Sequence, residues 1–317
     1  MGKLLNLIQN EWMKLWSKKA TWVMIVLVAL MMIGSAGITK WVQNQTEPTV
    51  DWKQDSKGQV MYLEGQIATT NLPVDQLNRF KDQLAVEKYR LEHDIAPVSK
   101  QSVNGFIGSV PDMLSVITLF TVIVAAGIVA TEFSQGTIKM LLTRPVKRWK
   151  ILTSKLLTVG IFAIVMSAIL LLFGVIGGYI FFDTIPGTNL EVVNGNVVEV
   201  SFWGRLLLLI ALSLVNVFVI GMLAFMIGSV FRSSSLAIGI SIFLMFMGVN
   251  VTYMLSLRFE FAKYILFANT DLTPYVGNRE PFMEGLTMPF SITVILVYLI
   301  IFLFISYWSF MKRDVTA

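Results

Sequence analysis

Residues 130–155, ATEFSQGTIKMLLTRPVKRWKILTSK, lie between two long apolar runs and set six bases, Lys139, Arg144, Lys147, Arg148, Lys150 and Lys155, against one acid, Glu132. A basic loop between membrane spans marks the cytoplasmic side. Gly136 and Thr137 can open a short helix here, IKMLLT, which Arg144-Pro145 ends because the residue before a proline is pushed out of the α region. Ile138, Leu141 and Leu142 fall at i, i+3 and i+4 on one face of that helix. An apolar knob in a basic collar has two readings that stand side by side. One is a docking element for a protein partner, and the other is a loop resting its apolar face on lipid headgroups.

Outward from this hairpin, composition sets the class. Hydrophobic residues make up 55% of the 317 and charged residues 14%, with a mean hydropathy of +0.70, more apolar surface than a soluble core can hide. The expectation is an all-α polytopic membrane protein. Cysteine is absent and His93 is the single histidine, so disulfides and thiolate metal sites are excluded and a histidine-based metal centre is disfavoured. No metal is expected. His93 stands between Glu92 and Asp94 and reads as a solvated residue.

Residues 1–20 read as an amphipathic helix lying along the membrane surface. Leu4, Leu5, Leu7, Ile8, Trp12, Leu15 and Trp16 fill one half of its wheel, and the tryptophans anchor it at the interface. Glu11 falls inside the apolar half and needs a partner. Lys14, at i+3, is the local candidate, and a base from the hairpin is the distant one. The first span, 21–39, follows without a small-residue cleavage site and is read as a retained transmembrane helix.

Between the first and second spans, 40–111 form a polar insert. DQLNRFKDQLAVEKYRLEH, beginning at Asp75, sets Leu77, Phe80, Leu84 and Leu91 at heptad-like spacing and predicts an amphipathic helix with Asp75 as its cap; a shorter helix over 54–69 can pair with it. The remaining spans fall at 112–130, 156–182, 205–231, 235–257 and 289–311, with the hairpin at 131–155. Each is long enough to cross about 30 Å of hydrocarbon. Proline-broken 258–288 reads either as an outer loop or as a segment dipping partway into the membrane.

Six spans return both termini to one side. The segments on that side then hold 13 bases and three acids, against 12 bases and 17 acids elsewhere. This asymmetry places the termini and hairpin on the cytoplasmic side of the membrane. It also accounts for the basic pI of about 9.3 without nucleic acid. No span has a central acid, base or histidine, which disfavours an ion-coupled carrier and an intramembrane protease. Asn216 and Asn250 are the main intramembrane polar groups, read as interhelical hydrogen bonds or as part of a substrate site. Gly174/Gly178 and Ala224/Gly228 are spaced for close helix packing, within one chain or across a dimer.

At this point the residues carry a resemblance. The N-terminal helix NEWMKLW, six spans, and the pattern E-x3-G-T-I-K-x-L-L-x-x-P-x-x-R-x-x-I-L-x-x-K over 132–155 resemble the permease subunits of bacterial ABC-2 type ABC transporters. The likeness covers most of the chain by topology and is specific over about twenty-five residues. A large insert after the first span is found in branches linked to bacitracin, lantibiotic or other antimicrobial-peptide resistance. The resemblance implies an exporter subunit that conducts substrate as a dimer, with an identical or paralogous chain, and does not itself hydrolyse ATP. Two copies of a separate ABC ATPase would bind ATP and Mg. In agreement, the sequence has no G-x-x-x-x-G-K-[ST] phosphate loop. The coupling residues it implies are Glu132, Gly136, Thr137, Ile138, Lys139, Leu141, Leu142, Arg144, Pro145 and Arg148, with Glu11, Trp12 and Trp16 in the elbow helix.

Two functions therefore stand. One is export of a lipid, drug or antimicrobial peptide. The other is an ATPase-coupled membrane sensor or resistance protein that acts on an extracellular ligand without transporting it.

Overall fold

The computed structural model describes residues 2–45, 51–69, 73–136, 146–231, 233–276 and 281–312. Six helices in it are long and apolar enough to cross a membrane, so the chain is a multi-pass, predominantly helical membrane protein. Helix α1 (Gly2–Trp16) turns sharply into α2 (Lys19–Gln45); α3 (Trp52–Thr69) and α4 (Val74–His93) follow, then the short α5 (Val103–Ile107) and α6 (Leu114–Ser134). Helix α7 (Arg148–Phe181) leads to strands β1 (Asn189–Val193) and β2 (Asn196–Val200), then α8 (Phe202–Val230), α9 (Ser234–Ser256), the short α10 (Leu266–Asn269) and α11 (Met288–Lys312).

The core is built around α6, whose sequence VITLFTVIVAAGIVA is apolar on every face. A helix of that kind has no side to give to water, and its small residues Ala125, Ala126 and Gly127 let neighbouring helices close around it. Ile117, Val122, Ala125, Ala126, Val129 and Ala130 are fully enclosed. Helix α8 packs along it most extensively, and small residues set the spacing: a Cβ at Gly228 would collide with the Ala126 carbonyl, and one at Gly221 would lie 3.0 Å from the Thr121 methyl. Gly174 and Gly178 of α7 receive Val110 and Ile107 in the same way. Both small-residue spacings are therefore used within one chain.

Two differences from the sequence reading concern helix ends. Helix α7 begins at Arg148, not near 156, because Ile151 and Leu152 are buried and Lys155 is paired, so the polar turn is kept helical. Pro73, not Asp75, holds the N-cap position of α4; Asp75 lies in its first turn, and no side chain caps that end. The β1–β2 hairpin was not expected. Its turn, Asn194-Gly195, has φ of 52° and 79°, the two left-handed residues that a tight hairpin turn requires.

One end of the molecule gathers α1 and the arms of the basic hairpin, and the other gathers the insert. Helices α3 and α4 pair through buried Leu63 and Val86 and through Lys88–Glu64 and Lys53–Asp94, both 2.7 Å. Leu77, Phe80, Leu84 and Leu91 are only half-buried. Arg90 of α4 donates to the Thr188 carbonyl beside β1, and Glu191 of β1 pairs with Arg205 in the first turn of α8 at 3.2 Å. The segment before α11 is a packed series of short turns. Buried Asn269 donates to the carbonyls of Lys263 and Ile265 and accepts from Ser291, which also meets the Tyr275 hydroxyl.

Candidate functional site: a buried ion cluster at the hairpin base

Helix α1 lies against α7 with Leu4, Leu7, Ile8, Glu11, Trp12, Leu15 and Trp16 on its inner face, while Leu5 is exposed. Glu11 thus sits in the middle of that face. Its carboxylate accepts from Lys14 at 3.0 Å and from Lys155 at 2.8 Å, so it has both the local and the distant partner. Lys155 is the fully enclosed end of the cluster. It also donates to Glu132, in the last turn of α6, at 2.7 Å, and Lys14 approaches the same carboxylate at 3.5 Å.

Two acids and two bases leave the cluster formally neutral. Such a group is stable in a low-dielectric setting only while every member keeps its partner. Burial raises the proton affinity of Glu11, but Lys155 and Lys14 outweigh it and hold the carboxyl below its ordinary value. Burial acts on Lys14 in the opposite sense, and Glu11 with Glu132 prevails, holding the ammonium above its ordinary value.

The geometry makes one mechanical unit of three elements. The N-terminal helix, the end of α6 and the start of α7 are joined at a single ammonium. The turn into α2 is fixed as well, by the Thr21 hydroxyl on the Leu15 carbonyl at 2.6 Å and the Trp22 indole on the Trp16 carbonyl at 3.1 Å. Trp12, Trp16 and Trp22 stand in a row, the first pair tilted at 5.3 Å and the second T-shaped at 5.7 Å. Around this unit, Arg148 donates to the Met311 carbonyl, Thr153 meets the Tyr307 hydroxyl at 2.6 Å, and Phe133 sets its edge on Phe310, so α11 joins the same end.

Of the residues assigned to coupling, Glu132, Gly136 and Arg148 are therefore placed at the hairpin base. Gly136 has φ of 71° and its amide bonds back to the Phe133 carbonyl, closing α6. Thr137, Ile138, Lys139, Leu141, Leu142, Arg144 and Pro145, together with the expected IKMLLT helix, lie outside the described residues. In the sequence Lys155 is one of six hairpin bases and the last residue of the 132–155 pattern. Its position seven residues into α7 puts it on the inward face; no local pattern says that two carboxylates wait there.

The two asparagines are far from this cluster and from each other in role. Asn250 is exposed and donates to the Phe246 carbonyl of its own helix at 2.7 Å. This bond is within the helix and not between helices as the sequence suggests, because a polar side chain in an apolar setting can satisfy itself on its own backbone. Asn216 lines a cavity toward the insert end. No group of three or more metal-ligating side chains occurs among the described residues.

Similarity to known proteins agrees with the membrane architecture. "Uncharacterized protein YhcI" of Bacillus subtilis (strain 168) is 38% identical over 316 residues, covering 98% of this chain and 99% of its own. "Uncharacterized membrane protein YdbK" of the same organism is 31% identical over 213 residues, 67% of this chain and 82% of its own. Residues 80–316 match the family described as "Protein of unknown function (DUF2705)". A match of that extent, spanning α4 to the end of α11, makes this chain a member of the DUF2705 family.

Proposed function

We propose that the chain is the permease subunit of an ABC-2 type exporter in the bacterial plasma membrane. Two permease chains form the path, and separate ATPase chains dock at the hairpin on the cytoplasmic side with both termini. ATP and Mg belong to those partners, and this chain performs no catalysis. The insert, α3 and α4 with the β hairpin, then lies outside. The observation that carries the reading is Lys155, buried between Glu11 and Glu132. A push on the basic hairpin is delivered at once to α1 and to the inner ends of α6 and α7, the rigid coupling that such a machine needs.

The test is affinity purification of the tagged chain from mild detergent, with an ATP hydrolysis assay. The expected result is a soluble ATPase of roughly 25–35 kDa, the size of one or two ordinary domains, held in complex with two membrane chains. The variant Leu141→Asp/Leu142→Asp is expected to insert normally and lose the ATPase, because two charges would enter an apolar groove. A chain that purifies alone and inert would overturn the reading.

A second reading has its own support. Arg90, Thr188, Glu191 and Arg205 tie the insert directly to the first turn of α8, a route by which an extracellular ligand could be sensed or displaced without transport. Deleting residues 54–93 separates the two. Export that survives while resistance signalling disappears favours sensing, and loss of export favours the path itself.

A further inference from the structure

Between α6, α8 and the turns of the insert end lies a cavity of about 510 Å³, in the range that holds small ligands. Its wall on α8 is Phe202, Arg205, Leu206, Leu209, Ser213 and Asn216. These positions fall at i, i+3, i+4, i+7, i+11 and i+14, a single helical stripe about 21 Å long at 1.5 Å per residue. The stripe changes character along its length. Arg205 stands at its mouth, Leu206 and Leu209 follow, and Ser213 and Asn216 lie farthest along the helix.

The mouth is where charge collects. Lys100 and Arg205 face it together with Asp112 and Asp271. Glu191 holds Arg205 from outside at 3.2 Å, and the Thr273 amide and hydroxyl fix the Asp271 carboxylate at 3.0 and 2.7 Å. A ligand of one sign would meet a like charge wherever it lay in such a mouth. A ligand carrying both signs a few bonds apart meets an opposite charge at each end. Immediately below, Leu114, Leu206 and Leu209 offer an apolar wall. The mouth stands at the first turns of α6 and α8, toward one end of two helices long and apolar enough to cross a membrane.

We propose that this slot binds a zwitterionic amphiphile with an ammonium and a phosphate on an apolar tail, an aminophospholipid of the surrounding bilayer. The phosphate lies at Lys100 and Arg205, the ammonium at Asp112 and Asp271, and the upper part of a chain along Leu206 and Leu209. This goes beyond the transport reading and does not depend on it, because binding is read on the permease chain alone.

The test is native mass spectrometry of the full chain from nanodiscs containing equal amounts of phosphatidylethanolamine and phosphatidylglycerol. Phosphatidylethanolamine is expected to be retained about fivefold or more over phosphatidylglycerol, a difference of roughly 1 kcal/mol. Lys100→Glu, an exposed position, should abolish that preference without shifting the unfolding temperature, and Ser213→Phe should block retention by filling the slot. Water-soluble O-phosphoethanolamine should not displace the lipid. Equal retention of the two lipids, or retention indifferent to both variants, overturns the site. Displacement by O-phosphoethanolamine overturns the amphiphile and leaves a site for a soluble phosphate ester.

Discussion

Lys155 is among the largest fully enclosed side chains of the molecule, and it is a cation. A buried ion pair contributes little net stability over an apolar replacement, yet removing one partner exposes the full cost of the other charge. Lys155→Met leaves two carboxylates to Lys14 alone and is expected to destabilise the fold by about 3–5 kcal/mol. Adding Glu11→Gln to that variant should recover part of the loss, so the double variant costs less than the two single ones together; chemical or thermal unfolding in detergent measures both. The cluster also has a pH signature. Glu11 binds its proton less readily folded than unfolded, so its share of stability is complete above the unfolded value of about 4.3 and is lost as pH falls through the lower folded one. Lys14 is the mirror case, complete below about 10.4 and lost as pH rises through its higher folded value. Unfolding temperature should therefore be flat through neutral pH and fall below about pH 4, with a shallower acid limb in Glu11→Gln. Glu11 was legible in the sequence as an acid breaking an apolar face. The Lys155 bond was not, because it joins residues 144 positions apart, and nothing local encodes that meeting.

Among elements, length and apolarity made the six spans readable, and their ends were not. The start of α7 is decided by tertiary contact, since Lys155 is tolerable in a buried helix only with its two acids present. The β hairpin left a signal, Asn194-Gly195 between runs of valine, that a reading centred on apolar spans passes over. Small residues were legible as packing sites, but only the assembled fold says against what. Gly228 now has a definite neighbour, the Ala126 carbonyl. Gly228→Ala is expected to force α6 and α8 apart and cost about 1–3 kcal/mol, whereas Gly239→Ala, with open space around it, should raise helix stability slightly. Comparing the two unfolding curves separates a packing effect from a propensity effect.

On the scale of the whole molecule, the burial of the spans is uneven. The span ending at Ser134 and α8 are buried over 56% and 50% of their apolar stretch, but α9 and α11 over only 17% and 22%. Phe243, Phe246, Met247 and Met254 stand out from α9, and Leu296, Ile300 and Phe304 from α11. Lipid or a second copy of the chain must cover these faces. Under the exporter reading, light scattering of the ATPase-bound complex should return a mass with two permease chains, and a bulky substitution on the paired face should halve that number. Lys155 has a last implication, for how the protein is made. Synthesis runs from the N-terminus, so Glu11 and Glu132 leave the ribosome before the lysine that neutralises them. Until residue 155 arrives, the two carboxylates have only the half-exposed Lys14 between them, and α7 has no part in the cluster. The cluster can therefore close only after the hairpin has turned back, which makes one side chain a checkpoint on the order in which the spans assemble.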